Sequence, residues 1–173
     1  IAQGVVERYR EKTRTQTARS SGQAIANLTT TQVKIAEAAA SVDAAFADAM
    51  KWVAEKYPGD DTILTLYAES VMDTQPWDYW EAGGAKPKGR AGDLLAALEK
   101  VLARNPNHPG AIHLYIHAVE ASTKPDRALP HARRLAALMP GAGHVVHMPA
   151  HIYYRVGLYR ESHPELAIKA SFS

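Results

Sequence analysis

The sequence predicts an all-α protein, a stack of antiparallel helical hairpins over residues 42–173 preceded by an N-terminal helical extension over residues 1–41. Three observations predict it. Proline and glycine stops recur at Pro58-Gly59, Asn105-Pro106 through Pro109-Gly110, Lys124-Pro125 and Pro140-Gly141, and the stretches between them are apolar, alanine-rich and of helical length. No stretch shows sustained alternation of apolar and polar residues between hairpin turns, so strands are not expected. Pro106 and Pro140 lie 34 residues apart, each after a similar helix: Leu95, Leu98 and Leu102 precede the first, Leu129, Leu135 and Leu138 the second. A period of that length marks helix-turn-helix arrays, in which each pair of helices covers the open apolar face of the pair before it.

Taken in order, residues 5–19 begin with helical spacing and pass into alternating threonine and basic residues, a helix end running into a polar connection. Ser20-Ser21-Gly22 breaks the pattern. Residues 23–56 then place Ile25, Leu28, Val33, Ile35, Val42, Phe46, Met50 and Val53 close to a helical period. Pro58 and Gly59 end that element, because proline cannot continue a helix and glycine takes the turn readily. Within the repeat region, helices are expected at 42–57, 61–73, 91–104, 110–121, 126–138 and 143–157. Residues 74–90 exceed an ordinary repeat turn and form a loop, with Trp77 and Trp80 either pinning it to the helices or serving a lid over a ligand. Gly157-Leu158-Tyr159 supplies the turn where the first helix of a repeat meets its second.

Composition excludes several classes of function. Lys and Arg total 20 against 18 Asp and Glu, and a net charge of +2 provides no broad field for nucleic acid or an anionic membrane. The basic run Arg8, Arg10, Lys12, Arg14 and Arg19 is expected to be a solvated helix face. The absence of cysteine removes disulfides, thiolate metal sites and cysteine nucleophiles. No apolar run approaches the roughly 20 residues that span a bilayer, so a soluble, by default cytoplasmic, protein is expected. The chain opens at Ile1 rather than methionine, which leaves a preceding targeting segment open. No phosphate-binding glycine loop, nucleophile elbow or organic-cofactor motif is present.

The chemistry-bearing residues are histidines. Positions four apart on a helix differ by about 40° around the axis, so His113 and His117 share a face with Glu120 close to the same line. Two imidazoles so placed can meet one metal ion, with Glu120 as third ligand, general base or hydrogen-bond acceptor. His144, His147 and His151 are spaced by three and four and also align, although Pro149 must either kink their helix or start it. If first helices of adjacent repeats lie side by side, five histidines and Glu120 converge. Nitrogen and carboxylate donors suit zinc by default, or copper, nickel or iron, better than calcium or magnesium. The alternative is a structural network satisfied by Tyr115, Tyr153 and Tyr154, although leaving a buried polar group unpaired costs about 1–3 kcal/mol. His108 is expected in a turn and His131 on the other helix of its hairpin. A peptide or protein partner on the repeat surface, and a homodimer through an uncapped repeat end, are expected partners.

Two family likenesses add to this. Residues 105–122, NPNHPGAIHLYIHAVEAS, and 140–159, PGAGHVVHMPAHIYYRVGLY, resemble a bacterial group of tetratricopeptide-repeat proteins, a likeness that runs back through Tyr57-Pro58, Ala68-Glu69 and Pro76-Trp77-Asp78 to cover about 42–161. The resemblance implies a right-handed helical array and no particular reaction. Residues 5–50, through Val6-Glu7-Arg8-Tyr9-Arg10, Thr13-Arg14-Thr15-Gln16 and the alanine-rich helix, are similar to the C-terminal helical bundle of flavin-dependent monooxygenases related to acyl-CoA dehydrogenases. That likeness carries over no flavin site. The stretch after Glu161, SHPELAIKASFS, departs from the expected second helix of the last repeat and leaves that boundary open.

Overall fold

The computed structural model describes residues 7–8, 10–12 and 29–162, which are mostly helical. Internal contacts divide the chain into two units, Ile1–Ala49 and Met50–Ser173. In the first unit, residues 7–8 and 10–12 are helical and exposed, Arg8, Arg10 and Lys12 among them, whereas Arg14 and Arg19 lie outside the described residues. The long helix α1 (Thr29–Lys56) crosses the boundary between the units, and the division expected at 41/42 falls inside it. Val33 and Phe46, two positions that define its helical recurrence, are 48% and 52% exposed. Ile25 and Leu28 lie outside the described residues.

The second unit carries the site, and each of its helices has a local cause. Helix α2 (Asp61–Thr74) starts where the Asp60 carboxylate accepts from Ile63 N at 3.0 Å, satisfying one of the amides a helix start leaves unpaired. It buries Leu64, Tyr67, Ala68, Val71 and Met72. Helix α3 (Ala91–Arg104) buries Leu94, Leu95, Leu98, Val101 and Leu102 at helical spacing. The two run antiparallel: Arg104, at the end of α3, pairs with the Asp61 carboxylate and donates to the Pro58 carbonyl at 2.9 Å, and Asn105 reaches Asp61 at 3.3 Å. The Arg104 guanidinium holds the Asp61 carboxyl below its ordinary value, with help from Asn105 and against the upward push of burial.

Helix α4 (Pro109–Val119) begins with Pro109 in its first turn, where the missing N–H does no harm. His108 caps it: Nδ1 accepts from Ala111 N at 3.1 Å, so this histidine is a turn residue. A short 3₁₀ turn, Pro125–Ala128, leads into α5 (Leu129–Leu138), which is antiparallel to α4, because Arg134 near its end donates to the Pro106 carbonyl at 3.0 Å. The leucine parallel between α3 and α5 is incomplete: Leu135 is fully buried and Leu138 is 36% exposed. The single helix expected over 143–157 is two, α6 (Gly143–His147) and α7 (Pro149–Arg155). Pro149 has no N–H to give to the carbonyl four residues back, so the ladder breaks there. Met148 nonetheless keeps helical dihedrals, φ −54° and ψ −37°, so direction is largely preserved across the break. Leu94, Leu98, Ile112, Ile116, Leu135, Met148, Ile152 and Tyr153, all nearly inaccessible, form the core. Burying each contributes about 1.5–3 kcal/mol.

The insertion departs from expectation. Residues Trp80–Glu81 (β1) and Lys86–Pro87 (β2) pair antiparallel, Trp80 opposite Pro87 and Glu81 opposite Lys86. Two-residue strands leave no alternation to detect in a sequence. The reversal depends on left-handed backbone at Ala82, Gly83 and Gly84, φ +52°, +64° and +94°. Gln75 closes the base of the loop, donating to Asp78 and Lys88 carbonyls at 3.0 and 3.1 Å and accepting from Arg90 N at 3.1 Å. Among the described residues no helix is long and apolar enough to cross a membrane.

Candidate metal centre

Helices α4 and α6–α7 bring the histidines together. His113 and His117 are one turn apart on α4, their rings 5.0 Å centre to centre. His144 on α6 meets them from across the interface: its Nε2 lies 3.0 Å from His113 Nε2, and its ring is stacked on that of His117 at 6.0 Å. The donor nitrogens of His113, His117 and His144 all fall within 4.8 Å of one another. A tetrahedral ion with metal–nitrogen bonds of about 2.0–2.1 Å sets its ligand nitrogens about 3.3 Å apart. The three nitrogens are therefore close enough together to hold one ion.

His147 and His151 form a second group beside the first. Their Nε2 atoms are 3.0 Å apart and their rings 4.7 Å. His151 Nδ1 lies 2.5 Å from Glu120 Oε2, and the other oxygen of the same carboxylate lies 3.6 Å from His117 Nδ1, just beyond hydrogen-bond length. The His117 Nδ1 atom is buried with no hydrogen-bond partner among the described residues. Five histidines and Glu120 thus share one patch, with Glu120 between the two groups. Glu120 follows α4 directly, as its C-cap residue.

The electrostatics disfavour protonated imidazoles. Burial, reinforced by the neighbouring His117, His144 and His151, pushes His113 down to about 4, so it presents a lone pair at neutral pH. His147 is lowered as well, first by burial and then by His151 and His144. Burial alone would raise Glu120, but the imidazoles of His117 and His151 prevail and hold it below its ordinary value, so the carboxylate is ionised.

Two of the tyrosines named as partners for a structural network, Tyr115 and Tyr154, are occupied elsewhere. Tyr115 donates to Glu99 at 3.0 Å and meets His131 edge-on at 5.8 Å. The Tyr153 hydroxyl is buried without a hydrogen-bond partner among the described residues, and Tyr154 packs on Tyr159 at 5.5 Å. His131 belongs to that separate face of α5, with Arg134 3.0 Å from its Nδ1. The two tryptophans of the insertion have different roles. Trp80 is the anchor: its Nε1 donates to the Ala118 carbonyl at 2.6 Å, near the end of α4, and Arg127 lies 5.4 Å from its ring. Trp77 is 68% exposed, has φ +63°, and sets its ring edge-on to His117 at 5.0 Å. Its place against the histidines was not evident in the sequence, and neither was a cavity of about 350 Å³ lined by Glu120, His147, His151, Tyr154 and Arg155. Only the unusual length of the insertion and its two tryptophans pointed there.

Compared with known proteins, residues 1–70 match a family model described as the acyl-CoA dehydrogenase C-terminal domain. The match covers the stretch similar to flavin enzymes and ends inside α2, so the histidine-bearing helices lie beyond it. No curated protein and no solved structure matches the chain.

Proposed function

We propose that residues 42–173 are a tetratricopeptide-like, right-handed array of helical hairpins behind an N-terminal extension, residues 1–41, and that the array holds a transition metal or small ligand in its histidine cluster. The observation that carries this reading is the trio His113, His117 and His144, whose donor nitrogens lie within 4.8 Å of one another. His147, His151 and Glu120 extend the same patch. The antiparallel pairs α2/α3 and α4/α5 and the 34-residue separation of Pro106 and Pro140 support the repeat. Neutral imidazoles and a carboxylate suit zinc first, with copper, nickel and iron accepting the same donors. An open coordination position would permit activated-water chemistry, with Glu120 as the base within reach.

Elemental analysis of untagged protein tests this against a His113→Ala, His117→Ala double variant. We expect near-stoichiometric metal in the parent chain and at least one equivalent less in the variant. Absence of metal after reconstitution with zinc, copper, nickel and iron would leave the histidines as a structural network. A peptide-binding scaffold, with a homodimer through a repeat end as its assembly, would then be the better account.

The match of residues 1–70 supports a second reading, a helical segment related to flavin-dependent monooxygenases. The groove bordering that stretch, about 360 Å³, carries Lys51, Glu55, Asp93 and Lys100 around Leu64 and Tyr67. The groove is lined mainly by Ala54, Pro58, Leu64, Tyr67, Ala96 and Ala97 but is open, not the enclosing slot that a flavin ring needs.

A further inference from the structure

We propose that the cluster is a two-ion centre: His113, His117 and His144 hold one ion, His147 and His151 hold a second, and Glu120 orients one ligand of each. This rests on the metal reading above and divides its six residues by role.

The first argument is separation. Among the described residues, the donor atoms close enough to share a single ion are those of His113, His117 and His144. His147 and His151 stand as their own pair, with Nε2 atoms 3.0 Å apart, the same separation as between His113 and His144. That is near the roughly 3.3 Å between two nitrogens on one tetrahedral ion. The groups are neighbours, with His144 to His147 at 5.8 Å and His117 to His151 at 5.7 Å between ring centres. A second ion is therefore adjacent to the first and not part of it.

The second argument concerns which nitrogen of each ring is free. Glu120 Oε2 lies 2.5 Å from His151 Nδ1, so a proton held between them on Nδ1 leaves Nε2 as the donor atom of that ring. His151 Nε2 is also the atom that faces His147. His117 Nδ1 faces the other oxygen of Glu120 and has no hydrogen-bond partner among the described residues, so a small approach fixes it in the same tautomer. Carboxylate–histidine–metal triads work in this way, and a carboxylate that supports one ligand of each ion couples the two sites. Glu120 is accordingly a positioning residue.

The third argument is room. Two histidines leave a tetrahedral ion short of two ligands. The cavity of about 350 Å³ lined by His147, His151, Glu120, Tyr154 and Arg155 borders this pair and can admit oxygen donors, water or a small oxyanion, to complete it. Arg155, which donates to the Ser122 carbonyl at 3.3 Å, adds positive charge to that wall.

The test is metal stoichiometry by equilibrium dialysis against zinc and against cobalt on the untagged full chain, read by elemental analysis and by cobalt absorption. We expect two equivalents in the parent protein and one each in His147→Ala/His151→Ala and His113→Ala/His117→Ala. Glu120→Gln should weaken both sites by about 10- to 100-fold. One equivalent in the parent, retained by His147→Ala/His151→Ala, would overturn the second ion and leave the single site standing. No metal in the parent would remove both readings. The count on the unmodified chain decides the matter even if a variant fails to fold. Loss of affinity at one site only in Glu120→Gln would overturn its shared role.

Discussion

Gly84→Ala, set against Gly83→Ala, tests whether the insertion braces the helix that carries the site. Both glycines lie in left-handed backbone, φ +94° and +64°. A methyl group at Gly83 meets nothing within 4 Å, whereas one at Gly84 would lie 2.5 Å from the Ala121 carbonyl and 3.0 Å from Ser122 C and Thr123 N. Gly83→Ala therefore carries conformational strain alone, about 1 kcal/mol. Gly84→Ala adds a backbone collision and loses the 2.9 Å bond from Thr123 N to the Gly84 carbonyl, itself worth about 1 kcal/mol. With about 1–2 kcal/mol for the collision, the sum is about 3–4 kcal/mol. With a urea dependence of about 2 kcal/mol per molar, the midpoint should fall by about 1.5–2 M for Gly84→Ala and about 0.5 M for Gly83→Ala. Zinc affinity should fall with it, because Ala121 directly follows Glu120. Equal midpoints for the two variants would refute the docking of this loop on the end of α4.

Further outcomes follow from the same geometry. Trp80→Phe keeps the ring but removes the donor to the Ala118 carbonyl, and urea denaturation should show a loss of about 1–2 kcal/mol. Zinc at about 100 times its dissociation constant should raise stability by about 2.7 kcal/mol for each ion bound, measured by thermal shift, and His113→Ala/His117→Ala should lose the share of the first ion. For chelator-treated protein, His113 binds its proton near 4 when folded and near 6.5 when unfolded. The unfolded chain therefore binds more protons between those values, and stability is full above pH 6.5 and declines as pH falls toward 4. Allowing for partial solvent screening, the decline is about 2 kcal/mol, and His113→Asn should flatten it in denaturation series across pH.

Helices were the legible part. Pro58, Pro106, Pro109 and Pro140 act through local sterics, so they fixed starts and stops to within a few residues, and the observed α2, α3 and α5 follow them closely. The break at Pro149 was foreseeable for the same reason, although the retention of helical dihedrals at Met148 was not. The two-strand hairpin escaped notice because its strands are too short to carry a period.

The sequence by itself determined which face of each helix the histidines occupy, since His113 with His117, and His144 with His147 and His151, are aligned by a helical repeat that any helix imposes. It also determined that His108 stands at a helix entrance, next to Pro109. Only the tertiary structure decided how the two faces divide. Packing of α4 against α6 and α7 put His144 with His113 and His117, left His147 and His151 as a separate pair, and set the Glu120 carboxylate between His117 and His151. It also placed Trp77 on His117 and Trp80 on α4. Those assignments depend on distances between residues about 30 to 40 positions apart in the chain, and such distances are set by the packing of whole helices and not by any local preference.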